Sequence, residues 1–484
     1  MDQMLEPVRG MRDVLPVEQR RLGRVQAALE TELAKWGYQK LDLPILERRE
    51  LYLKKSGEEL VGKLYDFVHH GRSLALRPEW TASVLRAYLH ELQSEPLPLR
   101  LAYTGPVFRY ERPQRGTYRQ FTQLGVELIG GTAPQADAEI VMLACRGLER
   151  AGVHDYTLTI GHIGIVRALL NGLGLADRTA NVLLWNMERL RHGRSDFIRQ
   201  QLAEAHGDEL FDLGPLANLP DDQLEALLLT MLRAVGLGLE NSTRAPEAIV
   251  ARLVRKLRRD DPQPRVERAL QLMEQLATTR GAPDAALEQL SALFAANAID
   301  PAPITELRTI LELLSSLLGS TTRLTVDAGL GRGLHYYTGL IFEISGKDEL
   351  QLCGGGRYDE LVAALGGRGS TPAVGFAYGL ERVADATTMD TNALLLLVIV
   401  MADTARWFTA ALEVAEQLRE RGYAAVIDVR GRSLSANVRD AARRGAVAVV
   451  LCDERAPEQV RWYDVAGRAE RVVSLIDVPE GARR

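Results

Sequence analysis

Residues Phe108-Arg109-Tyr110-Glu111-Arg112-Pro113-Gln114-Arg115-Gly116-Thr117-Tyr118-Arg119-Gln120-Phe121 set two polar arms on either side of a Pro/Gly turn. That is the pattern of a long hairpin. Arg109 and Glu111 stand two apart, so on a strand they share one face. A planar guanidinium placed there suits a carboxylate or a phosphate bidentately. The returning arm, Gln120 to Ile129, alternates well enough for a central strand. On it Gln123 and Glu127 again share a face. An exposed, salt-bridged hairpin is the plain alternative.

Three further segments join charge to strand or glycine context. In Leu76-Arg77-Pro78-Glu79-Trp80-Thr81, Pro78 presets a turn after a strand and presents Glu79 and Thr81 together. A carboxylate there can hold an ammonium group; otherwise Thr81 simply caps the helix starting near Ala82. In Gly329-Leu330-Gly331-Arg332-Gly333-Leu334-His335-Tyr336-Tyr337-Thr338-Gly339, three glycines around Arg332 allow close approach to a ligand. The adjacent Tyr336 and Tyr337 are expected on opposite faces of a strand. Gly354-Gly355-Gly356-Arg357-Tyr358-Asp359 pairs with Gly375-Phe376-Ala377-Tyr378-Gly379-Leu380-Glu381-Arg382, leaving room for a stacked ring, with Arg382 able to meet a phosphate. Ordinary tight turns explain both glycine segments equally well, since neither has Walker A or dinucleotide-binding spacing.

Around these segments, residues 1–170 mix helix and strand signals. The stretch Val17 to Trp36 carries Leu22, Val25, Leu29 and Leu33 at helical spacing and stops at Gly37. Residues 171–320 have almost no strand signal and read as a helical insertion, with Arg252, Arg255, Lys256, Arg258 and Arg259 as its densest basic cluster. Strands return from Leu324, and residues 386–392 look like a linker. From Ala393 the order strand, helix, strand, helix, strand predicts a small α/β domain with a largely parallel sheet. The expected division is 1–170 with 321–385 as the core, 171–320 as the insertion and 393–484 as the terminal domain.

Composition narrows the function. The 484 residues are 46% hydrophobic and 25% charged, ordinary globular values. Lys and Arg number 59 against 64 Asp and Glu, so any nucleic-acid contact must come from a local patch. Cys145, Cys353 and Cys452 lie far apart, which argues against both a metal cluster and a disulfide framework and for a reducing compartment. The longest apolar run, Ala393 to Ala402, is half the roughly 20 residues needed to span a bilayer. Met1 to Pro16 lacks the apolar stretch of a signal peptide. The expectation is a cytoplasmic protein with no membrane contact.

Phe-Arg-Tyr-Glu at 108–111 resembles motif 2 of class II aminoacyl-tRNA synthetases, and Gly375 to Arg382 resembles their motif 3. More narrowly, Arg9-Gly10-Met11-Arg12-Asp13-Val14-Leu15-Pro16, Arg77 to Thr81, Glu111 to Gln114, Gln123 to Glu127 and Gly354 to Asp359 resemble the histidyl-tRNA synthetase family. The resemblance covers nearly the whole chain. It implies an α/β fold with an antiparallel class II core, a helical insertion and an anticodon-binding-like terminal domain. It also implies a histidine pocket built from Glu79, Trp80, Thr81, Gln123, Glu127, Arg332, Tyr336 and Tyr337, and an ATP site at Arg109, Glu111 and Arg382. Arg332 would lie at the reacting carboxylate. A homodimer through the motif 1 region, Val17 to Pro44, is implied as well.

The family has two branches, and the departures from its pattern choose between them. Synthetases usually have Gly where Trp80 stands, Arg at Thr117, His or a similar group at Thr122, Asp at His335 and often Val at Gly331. They also carry a Thr-Asp-Ile-Val run after the position of Glu58. Gly161 to Gly164, Val166 to Leu170 and His335 to Glu343 look more like the regulatory branch. Arg332, Pro113-Gln114 and the terminal domain are synthetase-like. On this balance the sequence reads as the non-catalytic regulatory subunit of ATP phosphoribosyltransferase. It would bind histidine without a cofactor or metal and assemble with the short catalytic subunit in histidine biosynthesis. The alternative is a histidine–tRNA ligase using ATP and Mg²⁺, with Arg109 and Arg332 catalytic and tRNA as partner. The basic loop Asp428 to Leu434, with Arg430, Arg432, Arg439, Arg443 and Arg444, would then retain an RNA surface; under the regulatory reading only weak, salt-sensitive tRNA binding is expected.

Overall fold

A computed structural model describes residues 5–55, 62–112, 116–206, 219–234, 250, 261, 263–318, 323–331, 336–367, 369–389 and 395–481. The basic cluster at 252–259, Pro113, Gln114, Arg332, His335 and residues 390–392 of the expected linker lie outside them. The chain forms two compact units, Met1–Met389 and Asp390–Arg484.

Two sheets carry the first unit. The nine-stranded one is built from β1 (Gln39–Lys40), β5 (Leu99–Phe108), β6 (Gln120–Ile129), β7 (Tyr156–His162), β8 (Arg280–Gly281), β9 (Arg323–Asp327), β10 (Leu340–Gly346), β11 (Gln351–Arg357) and β12 (Ala373–Gly379). Its order is β1-β5-β6-β12-β11-β10-β7-β9-β8, with β1/β5 and β7/β9 parallel and the other pairs antiparallel. A three-stranded sheet, β2-β4-β3, uses Leu46–Arg48, Arg72–Leu76 and Asp66–His69. The glycine segment 354–356 is the middle of β11, a central strand and not a turn.

The helices of this unit are α1 (Pro16–Lys35), α2 (Arg49–Lys55), α3 (Thr81–Ala87), α4 (Gln135–Arg150), α5 (Ile163–Gly172), α6 (Asp177–Trp185), α7 (Met187–Arg191), α8 (Ser195–His206), α9 (Asp221–Ala234), α10 (Gln263–Thr278), α11 (Pro283–Ala296), α12 (Ala302–Leu317), α13 (Leu361–Ala364) and α14 (Leu380–Ala386). Pro16 opens α1, where a missing N–H costs nothing. Leu22, Val25, Leu29 and Leu33 are at most 5% exposed and join the chain's own core with α4 and the sheet. The apolar face expected to form a dimer is therefore consumed inside its own unit. The same core runs on through α5 to α8 and α10 to α12, so most of the helical stretch shares the sheet's interior, while Leu224 of α9 packs with Val250 in a separate small cluster. The helix expected to start near Ala82 changes to a π-helical turn at Tyr88–Leu92.

The second unit has β13 (Leu397–Ala402), β14 (Ala424–Ile427), β15 (Ala448–Cys452), β16 (Gln459–Asp464) and β17 (Glu470–Ser474), with α15 (Phe408–Glu420) and α16 (Leu434–Arg444). The sheet order is β14-β13-β15-β16-β17, parallel across the first three strands and antiparallel beyond. The β16–β17 hairpin extends the parallel sheet that the sequence predicts. Among the described residues no helix is long and apolar enough to cross a membrane.

Candidate active site

A cavity of about 810 Å³ opens on one face of the nine-stranded sheet. Glu79, Thr81, Gln123, Tyr336 and Tyr337 line it, with Arg109, Glu111 and Arg382 on the same wall system. Arg109 and Glu111 both line it, although β5 ends at Phe108 and the two lie beyond the strand on which their i, i+2 spacing was expected to place them.

At the Glu79 side the geometry rests on absent side chains. Gln123, Gly125 and Glu127 form one row along β6. Tyr103 of β5 lies directly opposite Gly125, and a Cβ at Gly125 would sit 2.6 Å from the Tyr103 hydroxyl. Glu127 lies deeper than expected, 1% exposed and behind the wall. Its carboxylate accepts from the Tyr103 hydroxyl at 3.3 Å and from the Tyr358 hydroxyl. Gly375 faces it across the strand pair; a Cβ there would come within 1.9 Å of Glu127 Oε2. Burial first, then the charge of Glu127, raises the Tyr103 and Tyr358 phenols well above their ordinary value, so both stay protonated donors. Gln123 Oε1 is buried and has no hydrogen-bond partner.

Trp80 does not line this cavity. It is fully buried, stacked on Tyr103 with ring centroids 4.9 Å apart and 10° between planes. The Arg77 guanidinium lies 3.5 Å over its other side. Gly105 makes the room: a Cβ there would meet Arg77 Nη2 at 2.7 Å and Trp80 Cζ2 at 2.8 Å. The bulky residue expected beside the ligand is thus a core residue, displaced from the pocket by the turn at Pro78. Thr81 is the first residue of α3 and not its cap. Glu79 does the capping, its Oε1 accepting from the Ala82 N–H at 3.2 Å.

The arginine side is prepared for an anion. Arg109 Nε donates to the Pro78 carbonyl at 2.8 Å, and its guanidinium lies 5.3 Å over the Phe121 ring. Arg382 donates to the Gly116 carbonyl at 2.9 Å, the Gln351 carbonyl at 3.1 Å and Thr117 Oγ1 at 3.4 Å. Burial lowers the Arg382 pKa, with Arg109 adding to the effect against the pull of Glu111 and Glu381. Two guanidinium groups held close by backbone carbonyls suit a polyphosphate. Thr122, where a basic side chain was noted as missing, gives its N–H to Glu381 at 2.9 and 3.0 Å.

Tyr336 and Tyr337 do not face opposite ways. Their ring centroids are 4.3 Å apart, and both line the cavity. The reason is local: they sit in a turn, and β10 starts only at Leu340. Arg332 lies outside the described residues. Sequence reasoning missed Tyr103, Tyr358, Glu381, Trp185 and Glu188 on the wall. Tyr103 was signalled by Gly125, directly opposite it across the hairpin; Trp185 and Glu188 come from the helical stretch and had no signal. Among the described residues no group of three or more His, Cys, Asp or Glu could hold a metal ion.

An antiparallel-dominated sheet with two arginines converging on a cavity over its motif 2 and motif 3 strands is the fold of a class II synthetase. The histidyl-tRNA synthetase family profile matches residues 10–213 and 223–383, and the anticodon binding domain profile matches 396–483. The chain belongs to the histidyl-tRNA synthetase family. It is 32% identical to a histidine–tRNA ligase of Methanocaldococcus jannaschii over 93% of this chain and 92% of that one. It is 33% identical to a histidine–tRNA ligase of Metallosphaera sedula over 93% and 91%. Among solved structures, a Bacillus halodurans C protein described as an ATP phosphoribosyltransferase regulatory subunit/histidyl-tRNA synthetase aligns with TM-score 0.67 at 25% identity, over 93% of this chain and 99% of that one. Apo S. aureus histidyl-tRNA synthetase shares the fold, with TM-score 0.59 at 23% identity over 98% of each chain.

These relatives overturn the regulatory-subunit reading. Proteins named histidine–tRNA ligase match along nearly the full length, terminal domain included. The physical reason the departures misled is visible at Trp80, whose bulk goes into the core opposite Gly105. The role in histidine biosynthesis and the short ATP phosphoribosyltransferase partner rested on that reading alone.

Proposed function

We propose that the protein is a histidine–tRNA ligase of the cytoplasm, acting as a homodimer whose contact does not use the buried apolar face of α1. The supporting observation is the single cavity that sets Glu79, Thr81 and Gln123 at one end and Arg109 and Arg382 at the other. Glu79 takes the histidine ammonium, and the orphaned Gln123 oxygen accepts a hydrogen bond from the bound amino acid. Glu127 holds Tyr103 and Tyr358 in place by accepting hydrogen bonds from their hydroxyls, which leaves the two phenol oxygens as acceptors. The histidine carboxylate then attacks the ATP α-phosphorus, forming a P–O bond as pyrophosphate leaves. Arg109 steadies the developing phosphate charge, and Arg382 binds the nucleotide. Arg332 is assigned to the reacting carboxylate by its motif position. Glu343 and Glu381 are two of the cavity carboxylates that would meet Mg²⁺ arriving on ATP, where it would neutralise phosphate charge.

The second unit takes the anticodon end of tRNA. Asp428 organises its basic loop, accepting from the Arg432 N–H at 2.6 Å and Asn437 Nδ2 at 3.0 Å. The test is ATP–pyrophosphate exchange across all amino acids, with Glu79→Gln as control. Histidine alone should support exchange, and Glu79→Gln should raise its KM at least tenfold. Exchange supported by another amino acid, or by none, contradicts the proposal.

A further inference from the structure

The helical stretch reaches the active site through one ion pair. Trp185 and Glu188 bring α6 and α7 to the cavity wall, which Leu330 and Gly331 of the glycine loop also line. One turn on, at the end of α7, Arg191 pairs with Asp327, the last residue of β9 and 2% exposed. The carboxylate of Asp327 also accepts the Gly329 N–H at 3.0 Å, and its carbonyl accepts the Leu330 N–H at 3.2 Å. Arg191 Nε donates to the Ala277 carbonyl at 3.3 Å, tying in α10. Gly329 threads between them: a Cβ there would lie 2.4 Å from the Ala277 oxygen and 2.6 Å from Arg191 Nη2. Arg280 approaches Asp327 from the solvent side at 3.7 Å.

We infer that Arg191 is a positioning residue for amino-acid activation: through Asp327 it clamps the turn Asp327–Gly331, which lines the cavity and immediately precedes Arg332 in the chain. This rests on the ligase reading for its chemistry. The helical stretch then sets the rate of activation before any tRNA arrives. Arg191 is not among the residues lining the cavity, so its loss should act on turnover and not on binding.

In Arg191→Ala, kcat for histidine-dependent ATP–pyrophosphate exchange should fall about 10–100-fold, the usual consequence of loosening a positioned reactant. KM for histidine and ATP should stay within about threefold. Arg191→Lys should recover part of the rate. Asp327→Asn keeps the acceptor for Gly329 but loses the ion pair, so it should match Arg191→Ala, and the double variant should be no worse than either. Arg280→Ala should be near wild type. A wild-type kcat in Arg191→Ala, or losses that multiply in the double variant, would overturn the clamp. If the wild type exchanges no histidine, the ligase reading fails, and the clamp is read instead by hydrogen exchange. The Gly329 and Leu330 amides should then exchange at least tenfold faster in Arg191→Ala; unchanged protection overturns it.

Discussion

The two largest sheets of this protein are built on opposite terms. In the second unit, β13 and β15 read Leu-Val-Ile-Val-Met-Ala and Ala-Val-Val-Leu-Cys, and nearly every residue is buried against α15 or α16. Those strands are apolar on both faces, as a parallel sheet covered by helices requires. In the first unit, β6, β11 and β12 give up side chains at Gly125, Gly354, Gly355, Gly356 and Gly375, and carry buried Glu127 and Arg357. Glycine in a strand weakens it. Here the vacated volume holds Tyr103 and the carboxylate of Glu127. The terminal sheet is a scaffold with its chemistry at loop ends; the large sheet carries chemistry in its strands.

The sharpest way to break this contrast is Gly375→Ala. Its Cβ meets a carboxylate and the Val126 carbonyl at 2.4 Å, and neither can retreat. We expect activation to fall more than 100-fold, with a stability loss of about 3 kcal/mol or more. Leu451→Ala, 3% exposed in the terminal sheet, should cost about 2–5 kcal/mol in its own unit. It should impair tRNA charging and leave ATP–pyrophosphate exchange intact. Exchange that falls with it would break the division of labour.

Trp80→Ala should cost about 3–5 kcal/mol and raise the KM for histidine through Tyr103; Trp80→Phe should recover most of both. Unfolding melts and histidine titrations of the two variants check this. If Trp80→Ala instead tightened histidine binding, Trp80 would be a pocket residue after all.

The two units should also answer pH in opposite senses. Burial raises Asp137, paired with Arg357 at 3.0 Å, to about 6. Its folded form holds the proton more tightly than the unfolded chain, whose value is near 3.8, so the stability from this group falls as pH rises through that window. Burial pushes Asp428 up too, but hydrogen bonds from Asn437 and Arg432 outweigh it and hold it low. Its contribution is present above the ordinary aspartate range and is lost as pH falls through it. Unfolding midpoints between pH 4 and 7 for Asp137→Asn and Asp428→Asn should therefore shift with opposite pH dependence; parallel shifts contradict the assignment.

Much of this was legible in sequence because it is local. The spacing of Leu22, Val25, Leu29 and Leu33, the alternation of Gln120 to Ile129 and the strand and helix order from Ala393 each depend on neighbours within a few residues. What was illegible depends on partners far along the chain. The direction of Trp80 is decided by Gly105, 25 residues on. The depth of Glu127 is decided by Tyr358 and Gly375. The α1 face is covered by α4, whose apolar side was read separately. Judging function from single departures failed for the same reason: a changed residue was weighed without the glycine that accommodates it. The β16–β17 hairpin, by contrast, was overlooked in plain view, since Val460 and Trp462 alternate inward with polar neighbours.

The account turns on whether this cavity activates histidine for tRNA. The direct measurement is charging of purified tRNA with labelled histidine by the full-length protein, run beside ATP–pyrophosphate exchange. Histidine-dependent exchange followed by accumulation of histidyl-tRNA is the expected result, with both steps lost in Arg109→Ala. Tight histidine binding with neither exchange nor charging would contradict it.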